Sequence, residues 1–241
     1  ISRIAKVSIG SVAMLFGLAS CSLDYVVGFV YMTSTNDTST QKNPGVITQY
    51  SIDFQSGALA SIGTPVATGI DPVKLVADPT GKFVYVINQG DSTVQEFAVQ
   101  SDGTLVSKNV YPTGKTPTAL AIDPQGKFLY VTFNAGYSAK TPVAGGVSIF
   151  PVNSDSSLGT SSTVAVGKNP VGITVSYFNH YVYVLDQEAS PNAKILGFSQ
   201  NSSTGALTPI SGTTVSAGAT TGYPAGVVPS AIAEDLTARF V

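Results

Sequence analysis

A pair of carboxylates separated by one residue is the feature of the sequence with the clearest capacity for chemistry. Asp186 and Glu188 follow an apolar run, and either could ligate a metal ion or act as a general base. Asn88, Asp91 and Asn134 occupy comparable places after two other apolar runs. We expect these five residues to face a ligand on one surface. The competing interpretation of Asp186 and Glu188 is a solvated pair of loop carboxylates without a chemical role.

Composition excludes several kinds of reactive or metal-binding site. The 241 residues include one Cys and one His, too few for a zinc site built from Cys and His ligands. There is no Gly-x-Ser-x-Gly elbow, phosphate-binding glycine loop or EF-hand spacing. We therefore expect no metal, no other cofactor and no identifiable catalytic residue. With 12 basic and 14 acidic residues, the net charge of −2 also argues against a nucleic-acid partner.

The N-terminal segment has the pattern of a secretion signal. Two basic residues precede an uncharged, mostly apolar stretch over residues 7–20, which is short for a membrane span but typical of a signal-peptide core. The stretch leads into Leu18-Ala19-Ser20-Cys21, which resembles the bacterial lipobox. We expect residues 1–20 to be a signal peptide and Cys21 to carry a lipid anchor, so that the protein resides in the bacterial envelope, at the outer membrane or in the periplasm. A buried N-terminal helix with an incidental cysteine is the alternative.

An internal repeat organises the rest of the chain. The segment Asp78–Val86 returns as Asp123–Val131 with the pattern Asp-Pro-x-Gly-Lys-Phe-x-Tyr-Val, and a degenerate copy occupies Ser176–Val184. Each copy follows an apolar run opened by Pro and precedes a loop, an alternating strand, a turn and a weaker strand. The unit predicts four antiparallel strands that are apolar on both faces, so neighbouring units must cover them.

Three strands of each unit can be assigned around the recurring Tyr-Val strand. The predicted first strands are Pro72–Ala77, Pro117–Ile122, Pro170–Val175 and Pro229–Ala233. The predicted third strands are Val46–Ile52, Thr93–Val99, Gly146–Val152 and Ala193–Ser199. The predicted fourth strands are Ser61–Ala67, Val106–Pro112, Ser161–Val166 and Gly212–Ala217.

The Asp-Pro-x-Gly-Lys segment predicts a tight hairpin between the first two strands, since Pro presets one turn residue and Gly accepts a positive φ. In the degenerate copy Asn179 stands in place of that Gly, and we expect it to take the left-handed conformation. His180, the one imidazole, replaces the motif Lys. We therefore expect an exposed turn residue, at the end of the molecule opposite the ligand loops, rather than an acid–base catalyst. The recurring Tyr is expected to be structural.

The repeat resembles that of YVTN-type β-propellers, close to the seven-bladed lactonase-like family that includes 6-phosphogluconolactonases. The resemblance covers residues 25–241 and implies an all-β propeller of four-stranded antiparallel blades, with about four blades and the start of a fifth at Asp235. We expect residues 21–241 to form a partial propeller domain. A seven-bladed ring needs on the order of 350 residues, so the chain is expected to be a fragment. The absence of Trp argues against WD40 and kelch repeats.

Two functions are consistent with these features. The lipobox and the lack of a catalytic constellation favour an envelope-anchored propeller that binds an unidentified protein or saccharide through its loops. The resemblance implies the alternative, a lactonase-like hydrolase acting on sugar lactones. No catalytic His, Arg or Glu of that family can be carried over to this sequence, in which Arg occurs only at Arg3 and Arg239. The candidate ligand loops span residues 33–45, 88–92, 134–145 and 186–192.

Overall fold

The structure is a computed structural model that describes residues 26–35, 44–135, 144–188, 193–216 and 219–234. These residues form strands, turns and loops, and none of them is helical. The described part therefore has no helix long and apolar enough to cross a membrane. The predicted signal peptide, Cys21 and the start of the fifth unit at Asp235 lie outside the described residues, as do parts of three candidate ligand loops.

Four sheets follow one another along the chain, and each corresponds to one unit of the repeat. Blade 1 contains β1 (Val26–Ser34), β2 (Pro44–Asp53), β3 (Leu59–Ser61) and β4 (Val66–Ile70). Blade 2 contains β5 (Pro72–Ala77), β6 (Phe83–Asn88), β7 (Thr93–Val99) and β8 (Leu105–Pro112). Blade 3 contains β9 (Pro117–Ile122), β10 (Phe128–Phe133), β11 (Gly145–Pro151) and β12 (Ser162–Gly167). Blade 4 contains β13 (Pro170–Val175), β14 (Tyr181–Asp186), β15 (Lys194–Gln200) and β16 (Leu207–Pro209), and is followed by β17 (Thr214–Ser216), β18 (Ala219–Thr221) and β19 (Tyr223–Pro224).

Blades 2 and 3 have the predicted antiparallel order, in which each strand pairs with the next one in the chain. The first strands β5, β9 and β13 have the predicted limits. Each begins at a Pro and is followed by the turn segment of the repeat, so both of its ends are encoded locally. The prediction of four-stranded antiparallel propeller blades is confirmed.

The fourth strand of blade 1 differs from the prediction. The predicted strand Ser61–Ala67 is divided into β3 and β4, which both pair with β2. Gly63 between them has a φ of 60°, and Pro65 has no N–H to donate to the ladder. The chain therefore leaves the edge of the sheet between the two short strands.

The prediction for the fourth strand of blade 4 is wrong. Two short strands, β16 and β19, both pair with β15 and together take the place of the fourth strand of the blade. The strand β17 lies within the predicted strand Gly212–Ala217 but pairs with β18 in a separate hairpin. Gly212 has a φ of 86° and turns the chain away from the blade. The expected partner of the predicted strand Pro229–Ala233 falls in residues 235–241, outside the described residues, so this strand stays a prediction.

Apolar side chains from adjacent blades form the core in three clusters, one at each boundary between described blades. Phe97, Phe150 and Phe198 occupy equivalent positions on β7, β11 and β15, each packs toward the preceding blade, and none is more than 2% exposed. Burying one such side chain stabilises a protein by about 1.5–3 kcal/mol. The strand β9 contacts both β5 and β13, so these first strands form the inner wall of the propeller.

The recurring tyrosine of the second strand joins each blade to the next. The Tyr31 hydroxyl donates to the Gly103 carbonyl of blade 2 at 2.8 Å. The Tyr85 hydroxyl likewise donates to the Ser156 carbonyl of blade 3 at 2.6 Å. In the same way Tyr130 bonds the Gly205 carbonyl of blade 4 at 2.9 Å. Each bond crosses a blade boundary to the turn between the third and fourth strands, which confirms a structural role for this tyrosine.

The motif aspartate stabilises the hairpin turn. The Asp123 carboxylate is 1% exposed and accepts the backbone N–H groups of Lys127 at 2.5 Å and Phe128 at 2.9 Å. Asp78 accepts the equivalent bonds, and Gly126 has the expected positive φ of 68°. The motif is therefore explained by turn geometry, without a ligand.

The degenerate turn of blade 4 is built differently. Ser176 replaces the aspartate, and its hydroxyl donates to the Glu234 carboxylate at 2.7 Å. His180 has the left-handed φ of 53°, so the prediction for Asn179 is wrong. Because no motif carboxylate holds the last turn N–H groups, the positive φ moves one residue along the chain. His180 is exposed and precedes β14, whereas Asp186 ends that strand, as predicted for a turn residue at the opposite end of the blade.

Candidate functional site

One end of the propeller carries both the loops after the second strands and the connections that enter the first strands. The N–H of Gln89 donates to the Asp71 carbonyl at 2.8 Å. The corresponding bond in blade 4 joins the N–H of Gln187 to the Asn169 carbonyl at 2.8 Å. We call this surface the loop end. The sequence-based expectation that these loops share a face is confirmed.

A second repeated motif shapes the loop end and was missed in the sequence. Each first strand is preceded by Gly-x-x-Pro, in segments that begin at Gly69, Gly114, Gly167 and Gly226. A Cβ on any of the first three glycines would lie only 2.1–2.4 Å from a side-chain atom of the blade that follows. Only glycine therefore allows this connection to approach the end of the second strand. This motif could have been found in the sequence, because Gly-x-x-Pro recurs once in each unit of the main repeat.

In blade 2 the structure brings Asn88 and Asp91 together around Gly69. Asn88 is fully buried, and its Nδ2 donates to Thr93 Oγ1 at 3.2 Å, whereas its Oδ1 has no hydrogen-bond partner. Asp91 is exposed and accepts the backbone N–H of Ile70 at 2.5 Å. Asp91 thus secures the connection from blade 1, and Asn88 retains one unsatisfied acceptor beneath it.

Asn134 lies at a boundary between blades. Its Nδ2 donates to Asn169 Oδ1 of blade 4 at 3.3 Å. At the equivalent position of blade 2, Gln89 donates to the Pro117 carbonyl of blade 3 at 3.0 Å, and Gln187 of blade 4 donates to the Pro229 carbonyl at 3.0 Å. An amide at this position therefore links neighbouring blades around the rim of the loop end.

Asp186 and Glu188 are close together, but both are engaged by the connection into blade 4. Asp186 is fully buried and accepts the backbone N–H of Asn169 at 2.7 Å, and burial raises the pKa of its carboxyl. Glu188 forms an ion pair with Lys168 and lies 3.9 Å from the Lys194 ammonium. The description of the pair as solvated loop carboxylates is therefore wrong for Asp186. Asp186 holds the connection in place, and its low exposure limits access by water or a metal.

The five predicted ligand-face residues form separate groups rather than one site. Asn88 and Asp91 belong to blade 2, Asn134 to blade 3, and Asp186 and Glu188 to blade 4. Within the described ranges, no group of three or more His, Cys, Asp or Glu residues could hold a metal ion. A common ligand for these five residues stays a prediction.

The inner wall of blade 2 carries two charged residues that the sequence reasoning did not single out. Asp71 immediately precedes β5 and has a φ of 55°. Lys74 is exposed on β5 itself. Neither side chain forms a hydrogen bond or an ion pair with another residue of the described part. The signal was available in the sequence, because Asp71 stands directly before the motif Pro and Lys74 interrupts the apolar run that follows it.

The chain is similar to known lactonase-type propellers. A family model described as lactonase, 7-bladed beta-propeller, matches residues 29–170. A candidate 6-phosphogluconolactonase from Bacteroides uniformis aligns with a TM-score of 0.59 and 19% identity over 74% of this chain and 52% of that chain. Another from Bacteroides fragilis aligns with a TM-score of 0.58 and 21% identity over 75% and 58%. A periplasmic gluconolactonase from Pseudomonas aeruginosa aligns with a TM-score of 0.54 and 19% identity over 86% and 57%.

The similarity to these solved structures shows the fold of the chain. The chain spans somewhat more than half the length of each of these solved structures. No curated protein sequence is significantly similar to it.

Proposed function

The chain belongs to the lactonase family of seven-bladed β-propellers, and we propose that the intact protein hydrolyses sugar lactones. The observation that carries this proposal is the family match across residues 29–170, which includes β5 and β9 of the inner wall. The names of the related structures, 6-phosphogluconolactonase and gluconolactonase, suggest the substrate class. Fold alone does not assign an activity, so the proposal needs residues able to perform the reaction.

Hydrolysis of a lactone requires a base and a group that stabilises negative charge. The base takes a proton from water as the water oxygen attacks the carbonyl carbon. The tetrahedral intermediate then breaks its bond to the ring oxygen, which takes the proton back from the base and becomes the hydroxyl group of the product acid. A cation or hydrogen-bond donor stabilises the carbonyl oxygen as it becomes an oxyanion. We assign the base to Asp71 and the oxyanion contact to Lys74, since both charges are unpaired within the described residues.

Substitution of Lys74 tests this assignment. Lys74→Gln removes the charge from the inner wall, and we expect kcat for δ-gluconolactone to fall about 100-fold, the effect of losing one oxyanion contact. Lys108→Gln is the matched control, because Lys108 is also exposed but lies on β8, the outermost strand of blade 2. Equal kcat values for the two variants would contradict the role given to Lys74.

Substitution of Asp71 tests the base. Asp71→Asn retains a residue that tolerates the positive φ at this position, so the connection into β5 is expected to keep its shape. We expect kcat for δ-gluconolactone to fall at least about 100-fold, because the amide cannot take a proton from water. An unchanged rate would exclude Asp71 as the base.

An envelope-anchored binding protein is the second candidate function. The sequence Leu18-Ala19-Ser20-Cys21 favours lipid attachment at Cys21 and an envelope location, in the outer membrane or periplasm. The candidate loop residues also favour binding over catalysis, because Asp91, Asp186 and Glu188 all bond to neighbouring connections. A protein or saccharide would then contact the loop end. Mass spectrometry of the mature protein is the test, since an unmodified peptide running through Cys21 would contradict anchoring.

A further inference from the structure

A cleft opens on the outer side of the boundary between blades 2 and 3, away from the inner wall. Its volume is about 300 Å³. Blade 2 contributes the outermost strand β8, and blade 3 contributes β11 and the segment that leads to β12. The residues that matter for recognition are Tyr111, Pro112, Phe150, Leu158, Thr160 and Ser161.

The cleft has an apolar floor and a polar rim. Phe150 and Leu158 are buried at 2% and 6% exposure, and the Phe150 ring meets Tyr111 edge-on with centroids 6.5 Å apart. Thr160 is exposed and Ser161 is half-buried, so both hydroxyl groups are accessible at the opening. Neither hydroxyl forms a hydrogen bond with another described residue.

A buried carboxylate lies behind this wall. Glu96 on β7 is 2% exposed, and its Oε2 accepts hydrogen bonds from the Tyr111 hydroxyl at 2.9 Å and from Asn109 Nδ2 at 3.0 Å. The Tyr111 oxygen in turn accepts the backbone N–H of Leu158 at 3.0 Å. The network fixes the Tyr111 ring across the blade boundary. No Lys, Arg or His of the described residues forms an ion pair with Glu96.

We propose that this cleft binds the pyranose ring of a neutral or cationic saccharide. The aromatic and proline surfaces match the C–H face of a sugar ring, and the rim hydroxyls of Thr160 and Ser161 match its hydroxyl groups. The carboxylate of Glu96 has no ion-pair partner among the described residues, so a negative charge at this position disfavours an anion in the cleft and favours an ammonium group. An amino sugar or a neutral sugar is therefore preferred over a sugar acid.

The site is independent of the lactonase proposal. It lies on the outer side of the ring and uses none of the residues assigned to hydrolysis. Occupation of the cleft is expected to leave the rate of lactone hydrolysis unchanged, so the two proposals can fail separately.

Saturation-transfer NMR on the full chain tests the proposal with glucose, glucosamine and glucuronate as probes. We expect transfer to the ring protons of glucose and glucosamine and weaker transfer to glucuronate. Ser161→Trp fills the cleft and is expected to weaken binding at least about tenfold, the effect of losing one or two contacts. Ser162→Trp is the matched control, because Ser162 is exposed and adjacent but does not line the cleft.

A second variant tests the charge. Glu96→Gln keeps an acceptor for Tyr111 and removes the negative charge, so we expect the preference for glucosamine over glucuronate to disappear while glucose binding persists. Circular dichroism verifies that each variant is folded. Absence of transfer to all three sugars, equal transfer with Ser161→Trp and wild type, or binding of a proline-rich peptide in place of the sugars would overturn the proposal.

Discussion

The tyrosine that joins each blade to the next is expected to set much of the stability of the propeller. Tyr130 is fully buried, and its hydroxyl donates to the Gly205 carbonyl of the following blade at 2.9 Å. Burial raises the pKa of this phenol, so the hydroxyl remains a donor throughout the working pH range. Tyr130→Phe keeps the ring and removes the donor, which leaves the carbonyl oxygen unsatisfied at a cost of about 1–2 kcal/mol.

Urea unfolding measures this effect. With an m-value of about 2 kcal/mol/M for a chain of this size, the midpoint is expected to fall by about 0.5–1 M without a change in slope. Tyr85→Phe removes the equivalent bond at a different blade boundary, so the two losses are expected to add. Tyr177→Phe is the control, because Tyr177 is 54% exposed and its hydroxyl bonds no described residue. Unfolding of Tyr130→Phe and Tyr177→Phe at the same urea concentration would refute a stabilising role for the Tyr130 hydroxyl.

Four further predictions concern carboxylates. Asp123→Ala removes a buried acceptor of two N–H groups and is expected to cost about 2–3 kcal/mol in urea unfolding, whereas Asp155→Ala, in an exposed turn, is expected to cost much less. Burial raises the pKa of the Asp186 carboxyl, so the folded state holds this proton more tightly than the unfolded state does. The free energy of unfolding therefore falls as pH rises through the acidic range. Asp186→Asn is expected to gain stability relative to wild type over that range. The Thr104 hydroxyl lowers the pKa of Asp102, so the contribution of this carboxylate to the free energy of unfolding is lost as pH falls. Asp102→Asn is therefore expected to lose stability relative to wild type as pH rises through the acidic range. Glu188→Gln breaks a partly exposed ion pair and is expected to cost less than about 1 kcal/mol, and a larger loss would point to an unrecognised role.

Most of the fold could be predicted because its determinants are local. Each of β5, β9 and β13 begins at a Pro and ends before a turn whose residues specify the backbone. The predictions fail where a residue outside the motif determines the conformation of the backbone. Glu234 occupies the degenerate turn that begins at Ser176, and the left-handed conformation moves to His180.

The candidate site was less predictable, because the partners of its side chains come from distant connections. Nothing near Asp186 in the sequence shows that Gly167 and Asn169 enclose its carboxylate. The exposure of Lys74 depends likewise on the position of β5 at the inner edge of its sheet. Strand order had to be known before the inner wall could be separated from the outer strands.

The rate of lactone hydrolysis by the intact protein, expressed from its complete gene, tests the central proposal most directly. Ring opening releases a proton, so a pH-stat follows δ-gluconolactone and its 6-phosphate at constant pH against spontaneous hydrolysis. We predict acceleration that saturates with substrate concentration and is about 100-fold smaller in Lys74→Gln but unchanged in Lys108→Gln. A rate equal to the spontaneous reaction for both lactones would contradict the lactonase assignment and leave the binding function as the better account of the propeller.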